Sequence, residues 1–163
     1  MRHLLALGHR RLALIAGPPG FGSSVVRRAG FEDALAEWGL SADDAQVVIG
    51  AYTFESGAAA AEQLFSRADP PTGVFASNDE MAAGFLLAAQ RRGLTAPADF
   101  SLVGFDDLTI ARMTSPALTT VRMPTREFGR EAARLLVTGA APSPSHLPEP
   151  RLVIRQSCGD AAS

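Results

Sequence analysis

Short apolar runs alternate along most of the chain with longer segments in which apolar residues recur at helical spacing. The runs lack strict period-two alternation, which is typical of strands that are covered on both faces. Strands and helices that alternate in this way form parallel sheets. The pattern therefore predicts an α/β domain, with an open, mostly parallel sheet flanked by helices on both faces. The predicted strands cover residues 11–17, 46–51, 73–77, 101–105, 119–123 and 152–154.

Four segments with helical periodicity accompany these strands. The first is expected to begin at Ser24 as N-cap and to end at Gly39. Its core-facing stripe includes Arg27, and a guanidinium there needs an acceptor to offset its burial. That acceptor is expected to be either Asp106 or a bound ligand. The stripe continues through Phe31, Ala34, Leu35 and Trp38, and the other predicted helices cover about 54–68, 79–92 and 125–139.

The pattern divides the chain into four parts. Residues 1–124 are expected to form a compact lobe, and residues 125–139 an amphipathic helix. Residues 140–150 contain four prolines and predict a surface connection, after which residues 151–158 form a last strand that returns to the lobe. Because leucines left in water would forfeit several kcal/mol, the apolar stripe of the helix is expected to be covered by self-association or by folding back onto the sheet. The stripe consists of Phe128, Ala132, Leu135 and Leu136.

The composition narrows the classes of function. Hydrophobic residues make up 47% and charged residues 20% of the 163 residues, which are ordinary values for a globular protein. The 15 basic and 17 acidic residues give a net charge of −2, so the surface lacks the positive excess that binds DNA. The one cysteine, Cys158, excludes an intrachain disulfide and fits a reducing compartment. The apolar run 4–7 is too short for an export signal or a membrane span, so a cytoplasmic protein without membrane contact is expected.

Candidate chemistry lies at the carboxyl ends of the strands, where open α/β sheets bind ligands. The loop 17–23 has the glycine spacing of a phosphate-binding loop, but a serine stands where that motif needs lysine, so nucleotide binding is disfavoured. Two later strand ends carry polar groups, Ser77-Asn78-Asp79 and Asp106-Asp107. An arginine and a carboxylate that face one crevice provide fixed donors and acceptors for a polyhydroxyl ligand such as a sugar.

These polar residues also have other interpretations. Asp79 is well placed as an N-cap or first-turn acid, and one of the paired aspartates could fix a turn. An enzymatic alternative uses Asp106 and Asp107 as ligands of Mg²⁺. Catalysis by histidine is disfavoured because no histidine follows a predicted strand. Neither a cofactor nor a resident metal is expected. The three histidines, expected at the surface, are His3, His9 and His146.

Six short motifs occur in one order along the chain, and together they resemble the effector-binding region of the lactose-repressor (LacI/GalR) family of bacterial transcription regulators. The resemblance covers about residues 3–157. It implies a periplasmic-binding-protein-like fold whose two lobes close on a small effector. The motifs are Gly-His-Arg-Arg at 8–11, Arg-Arg-Ala-Gly-Phe at 27–31, Phe-Glu-Ser-Gly at 54–57, Pro-Pro-Thr-Gly-Val-Phe-Ala-Ser-Asn-Asp at 70–79, Val-Gly-Phe-Asp-Asp at 103–107 and Pro-Ala-Leu-Thr-Thr-Val-Arg at 116–122.

The resemblance also implies the residues that contact the effector. Tyr52 would stack on an apolar sugar face, Arg27 and Asn78 would donate to hydroxyls, and Asp106 would accept from them. Met123 would contribute contact rather than a strong hydrogen bond. The complete implied set is Arg27, Tyr52, Asn78, Asp79, Asp106 and Met123.

The function implied by the resemblance is a non-catalytic sensing domain for a small molecule, usually a sugar. Family members are homodimers that bind operator DNA through an N-terminal domain, and neither that domain nor most of the N-terminal lobe lies in this sequence. In the family, the helix at 125–139 packs on that lobe. A solute-binding protein for sugar uptake, which shares the fold but needs an export signal, is the alternative within the same fold.

Overall fold

The computed structural model describes residues 1–141 and 149–161. These residues form a six-stranded sheet in the order β2-β1-β3-β4-β5-β6. Neighbouring strands are parallel except for β5 and β6, which are antiparallel. The predicted open, mostly parallel sheet flanked by helices is therefore confirmed. The strands are β1 (Leu12–Ala16), β2 (Gln46–Ile49), β3 (Gly73–Ala76), β4 (Ser101–Asp106), β5 (Thr119–Arg122) and β6 (Arg151–Val153).

Two of the helices are too short for periodicity to predict them, and one begins earlier than expected. Helix α2 starts at Gly22, and its N-cap Phe21 makes no side-chain capping bond. Ser24 as N-cap was therefore wrong; this serine is buried. Trp38 at the other end of the helix is 43% exposed, so it leaves the predicted buried stripe. The helices are α1 (Arg2–Ala6), α2 (Gly22–Glu37), α3 (Phe54–Phe65), α4 (Asp79–Arg91), α5 (Ile110–Met113) and α6 (Thr125–Thr138), with a 3-10 turn at Ala42–Asp44.

Apolar side chains of the sheet alternate between two cores, one on each face. Ile15 packs in the core beneath α3 and α4, whereas its neighbour Leu14 packs in the core beneath α1 and α2. Helices α3 and α4 approach closely at Gly57, which has no Cβ; a Cβ there would overlap the backbone of Met81. This packing makes the lobe rigid below the carboxyl ends of its strands, where the candidate residues lie.

Helix α6 projects from the lobe. Among its described residues none is buried, and Leu136 and Val137 are 86% and 87% exposed. Of the two ways in which its apolar stripe was expected to be covered, folding back onto the sheet was therefore wrong, and self-association stays a prediction. Of the connection predicted at 140–150, residues 142–148 lie outside the described residues. After β6 the chain returns to the lobe, where the buried Ser157 donates to the carbonyl of Leu102 at 2.6 Å.

Within residues 1–141 and 149–161, none of the helices has the length and hydrophobicity to cross a membrane.

Candidate functional site

Arg27 and Asp106 meet at the carboxyl edge of the sheet. Arg27 lies in α2 and donates from Nη2 to Oδ1 of Asp106 at 3.4 Å. The two side chains are 18% and 32% exposed, so both can reach a ligand. The guanidinium carbon lies 4.0 Å from the ring centroid of Phe105 and 5.9 Å from that of Tyr52. Of the two acceptors expected for Arg27, the structure provides Asp106, with aromatic faces on the same cation.

The electrostatics of Asp106 reflect this half-buried position. Burial raises the pKa of the Asp106 carboxyl, the cation of Arg27 opposes that rise, and the negative charge of Glu80 adds to it. The ion pair is long, which leaves lone pairs of Asp106 and donors of Arg27 available to hydroxyl groups. The pair therefore offers fixed acceptors and donors on one surface.

Tyr52 lies in the loop after β2, in the left-handed backbone region with φ +62°. Its hydroxyl is within hydrogen-bonding distance of Ser24 at 2.8 Å and of Ser23 at 3.1 Å. The ring lies over Gly17, where a Cβ would overlap both the ring and the Ser24 side chain. The loop 17–23 thus holds the Tyr52 ring in place. This contact explains the glycine at position 17 without phosphate binding.

Asn78 is the N-cap of α4. Its Oδ1 accepts from the backbone N–H of Met81 at 2.9 Å, and its Nδ2 donates to the carbonyl of Tyr52 at 3.0 Å. The second bond ties the loop after β2 to the start of α4. Asn78 is 7% exposed, so its side chain mainly connects elements of the site in this structure.

Asp79 is the first residue of α4 and is fully buried. Its Oδ1 accepts from the hydroxyl of Thr120 at 2.5 Å and its Oδ2 from the backbone N–H of Leu108 at 2.7 Å. Burial raises the pKa of Asp79 to about 6, although the bonds from Thr120 and Leu108 act in the opposite direction. Asp79 therefore lies beneath the edge and joins α4, β5 and the segment after β4.

Asp107 is held by arginines from three segments of the chain. Its side chain is 2% exposed; Arg155 donates to Oδ1, and Arg122 donates to Oδ2 at 2.5 Å. Arg112 donates to Oδ2 at 3.5 Å. Burial alone would raise the pKa of Asp107, but the bonds from Arg155 and Arg122 outweigh it and lower the pKa. A carboxylate neutralised in this way is a poor ligand for Mg²⁺, and residues 1–141 and 149–161 contain no group of three or more side chains suited to a metal ion.

Backbone strain is concentrated at this edge. Among the described residues, the non-glycine residues with positive φ are Tyr52, Asp106 at +105° and Asp107 at +54°. Such conformations cost roughly 1–3 kcal/mol each and persist where surrounding contacts impose them. Their position at the ends of two strands marks this edge as the candidate site.

Met123 is half-buried just after β5 and lies farther along the edge. It lines a cavity of about 430 Å³ together with Arg122, Arg126, Glu127 and Arg151. The structure brings Arg27, Tyr52, Asn78 and Asp106 into one contact network, with Asp79 beneath it and Met123 at its side.

Several residues of the network were not predicted. Phe105 could have been inferred from its place directly before Asp106, but Arg155 contacts a residue 48 positions away and leaves no local signal. Ser77, which the sequence places with Asn78 and Asp79 at a strand end, is 1% exposed, and its hydroxyl has no hydrogen-bond partner in the described part of the chain.

The expectation of surface histidines was wrong for His9, which is 2% exposed. Its Nδ1 lies 3.1 Å from the hydroxyl of Thr72, and its Nε2 lies 3.1 Å from the carbonyl of Gly159. His9 thus joins the start of β1 to the C-terminal segment, away from the candidate site. His3 is half-buried, and His146 lies outside the described residues.

Comparison with known proteins places this arrangement in context. The family described as periplasmic binding protein-like domain matches residues 1–158. The HTH-type transcriptional regulator CelR of Thermobifida fusca is 39% identical over 160 residues, which cover 96% of this chain and 47% of CelR. The HTH-type transcriptional repressor CytR of Escherichia coli is 39% identical over 137 residues, covering 84% of this chain and 40% of CytR. The chain thus spans about half the length of these curated relatives.

Solved structures show the same relationship. A CelR–cellobiose complex superposes with a TM-score of 0.85 at 38% identity, covering 96% of this chain and 49% of that one. A dimeric Lac repressor with a C-terminal deletion superposes with a TM-score of 0.88 at 31% identity, covering 98% of this chain and 59% of that one.

Proposed function

Because this chain belongs to the periplasmic binding protein-like domain family and its homologues are LacI-family regulators, we propose that it is the effector-sensing part of a transcription regulator. The effector is a small carbohydrate, and its binding involves no catalysis. The regulator acts in the cytoplasm, and its operator DNA is contacted by parts of the protein outside these 163 residues.

The observation that carries this proposal is the Arg27–Asp106 pair, which is partly exposed at the carboxyl edge and has aromatic rings against the Arg27 guanidinium. A sugar needs hydrogen-bond donors and acceptors around its rim and an apolar surface against its face. Arg27 donates to the effector, Asp106 accepts from it, and Tyr52 and Phe105 supply the apolar surface. The cellobiose bound by the related CelR is a ligand of this chemistry.

The other predicted residues have supporting roles in this proposal. Asn78 contacts the effector while holding the Tyr52 loop to helix α4. Asp79 contributes from below through Leu108 and Thr120, and Met123 lines the side of the site. The opposite wall of the crevice belongs to a second lobe, and the exposed apolar face of α6 packs on that lobe.

The regulator is further proposed to be a homodimer, as the related Lac repressor is. A groove of about 300 Å³ between α4 and α5 supports this, because it is lined largely by apolar side chains. Leu87 and Met113 on that groove are 37% and 78% exposed. Sedimentation should show Met113→Glu to be more monomeric than wild type. The neighbouring Arg112 is not used for the charge control, because it binds Asp107. Arg91→Glu, in the last turn of α4, is the charge control.

The sensing role is tested by calorimetry with mono- and disaccharides, cellobiose included. For any sugar that the wild type binds, Arg27→Met and Asp106→Asn should each reduce the binding free energy by about 1.5–3 kcal/mol. This is the range for a hydrogen bond to a charged group. Arg28→Met, which removes an exposed i,i+4 ion pair with Glu32, should leave the affinity unchanged. Affinity that is insensitive to both site variants would contradict the proposal.

A further inference from the structure

The segment 106–108 is fastened at the two residues that follow Asp106, the residue that faces the ligand. Asp107 is tied to Arg112, Arg122 and Arg155. The backbone N–H of Leu108 is tied to the buried Asp79 at 2.7 Å. Asp106, the last residue of β4, directly precedes these fastenings and keeps its carboxylate at the surface, 32% exposed.

This arrangement holds a backbone that the two aspartates would not adopt unaided. Asp106 and Asp107 have φ values of +105° and +54°, in the region that favours glycine. A released segment would move to negative φ, which would turn the Asp106 side chain away from Arg27. Surrounding contacts must supply the energy that keeps the strained form, and beside the pairing of Asp106 with Arg122 in the sheet these are the contacts of Asp107 and Leu108.

Arg155 is the contact that reaches farthest along the chain. It follows β6 and is 48 residues from Asp107. Its side chain is 13% exposed, and besides Asp107 it donates from Nη1 to the carbonyl of Leu118 at 2.7 Å. Its own backbone N–H donates to the hydroxyl of Thr119 at 2.9 Å. Arg155 is thus fixed to β5 and can hold Asp107 in one orientation.

We propose that Arg155 and Asp107 are positioning residues, which impose the left-handed backbone at residues 106 and 107 and so aim the Asp106 carboxylate at the effector. The inference rests on the proposed role of Asp106 as effector acceptor. Through this link the C-terminal segment that carries Arg155 determines the geometry of the site at residues 106 and 107. That segment neither follows a binding loop nor lines the crevice.

The test compares Arg155→Met, Arg155→Lys and Asp107→Asn with wild type in amide hydrogen exchange on the 163-residue chain without a ligand. Exchange at residues 106–108 should become about 10- to 100-fold faster in Arg155→Met and Asp107→Asn, the range for losing a hydrogen bond to a charged group. Strand amides of β1 and β3 should change little. Arg155→Lys keeps the charge but cannot donate to Asp107 and Leu118 together, so it should restore only part of the protection.

Arg2→Met is the matched control, because it removes an exposed arginine–carboxylate pair with Glu37 in another part of the lobe. Equal acceleration at all strand amides would mean that Arg155 contributes only to overall stability, and would overturn the proposal. Unchanged exchange at 106–108 would overturn it as well.

The pKa of Asp106, measured by carboxyl NMR, gives a second readout. Loss of the Arg155 charge and movement of the segment 106–108 would change this pKa in opposite directions. Loss of the Arg155 cation alone would raise the pKa of Asp106. Release of the segment into solvent would remove the burial that now raises this pKa, and we expect it to fall toward its ordinary value in Arg155→Met. A rise would show that Arg155 acts by charge alone. Both readouts are made without a ligand, so a failure of sugar binding to the wild type would count against the proposed function and not against this inference.

Discussion

Replacing Asp79 by asparagine should remove a pH-dependent destabilisation of the fold. Asp79 is fully buried and its pKa is raised to about 6 from an ordinary 3.8, with burial as the largest cause. The folded state therefore binds the proton more tightly than the unfolded state. The stability that this proton provides is complete below pH 3.8 and is lost as the pH rises through about 6.

The magnitude follows from the shift. A difference of about 2 pKa units corresponds to about 3 kcal/mol between the two protonation states, and roughly 2 kcal/mol of this is lost between pH 4.5 and 7.5. Asparagine has nearly the same shape and stays neutral. Its Oδ1 can accept from the backbone N–H of Leu108, and its Nδ2 can donate to the Thr120 hydroxyl, so both contacts of Asp79 are retained.

Urea denaturation followed by circular dichroism, for wild type and Asp79→Asn across this pH range, measures the effect. The difference in free energy of unfolding should shift in favour of the variant by about 2 kcal/mol as the pH rises, because other titrating groups cancel in the comparison. Thr120→Val is the control, since it removes one bond of Asp79 but keeps the carboxyl and should be destabilising across the range. A difference between Asp79→Asn and wild type that stays constant with pH, or that shifts toward wild type, would refute the reasoning.

Three further outcomes are expected. Gly17→Ala should lower the free energy of unfolding by about 1–3 kcal/mol in urea titrations, because its Cβ would overlap the Tyr52 ring, whereas Gly30→Ala, within α2 with open space around it, should raise it by about 0.5–1 kcal/mol. Burial lowers the pKa of His9, although its bond to a backbone carbonyl acts in the other direction. The free energy of unfolding of wild type should therefore fall relative to that of His9→Gln as the pH falls below 6.5. If the two free energies fell in parallel with pH, the prediction would be wrong. Leu136→Ser in α6 should change the unfolding free energy by less than about 0.5 kcal/mol, since this leucine is 86% exposed, and a larger loss would place it in an interface.

The hydrophobic pattern by itself determined the fold class and most of the strands. A strand covered on both faces must be apolar throughout, and a helix on a sheet must repeat near 3.6 residues, so both signals are local. Helices α1 and α5 escaped prediction because four or five residues are too few to show a period. Positions at strand ends also placed Arg27, Asn78 and Asp106 at one edge, since parallel strands end together, and the family resemblance added Tyr52.

Only the tertiary structure decided what each of these residues does. Asp79 and Asp106 are both acids at strand ends, yet one is fully buried with both oxygens bound and the other stands at the surface beside Arg27. Asp107, next in sequence to Asp106, is enclosed by arginines, of which Arg155 lies 48 residues away. Burial and hydrogen-bond partners depend on which segments the fold brings together, and contacts between distant segments leave no periodic mark on the sequence.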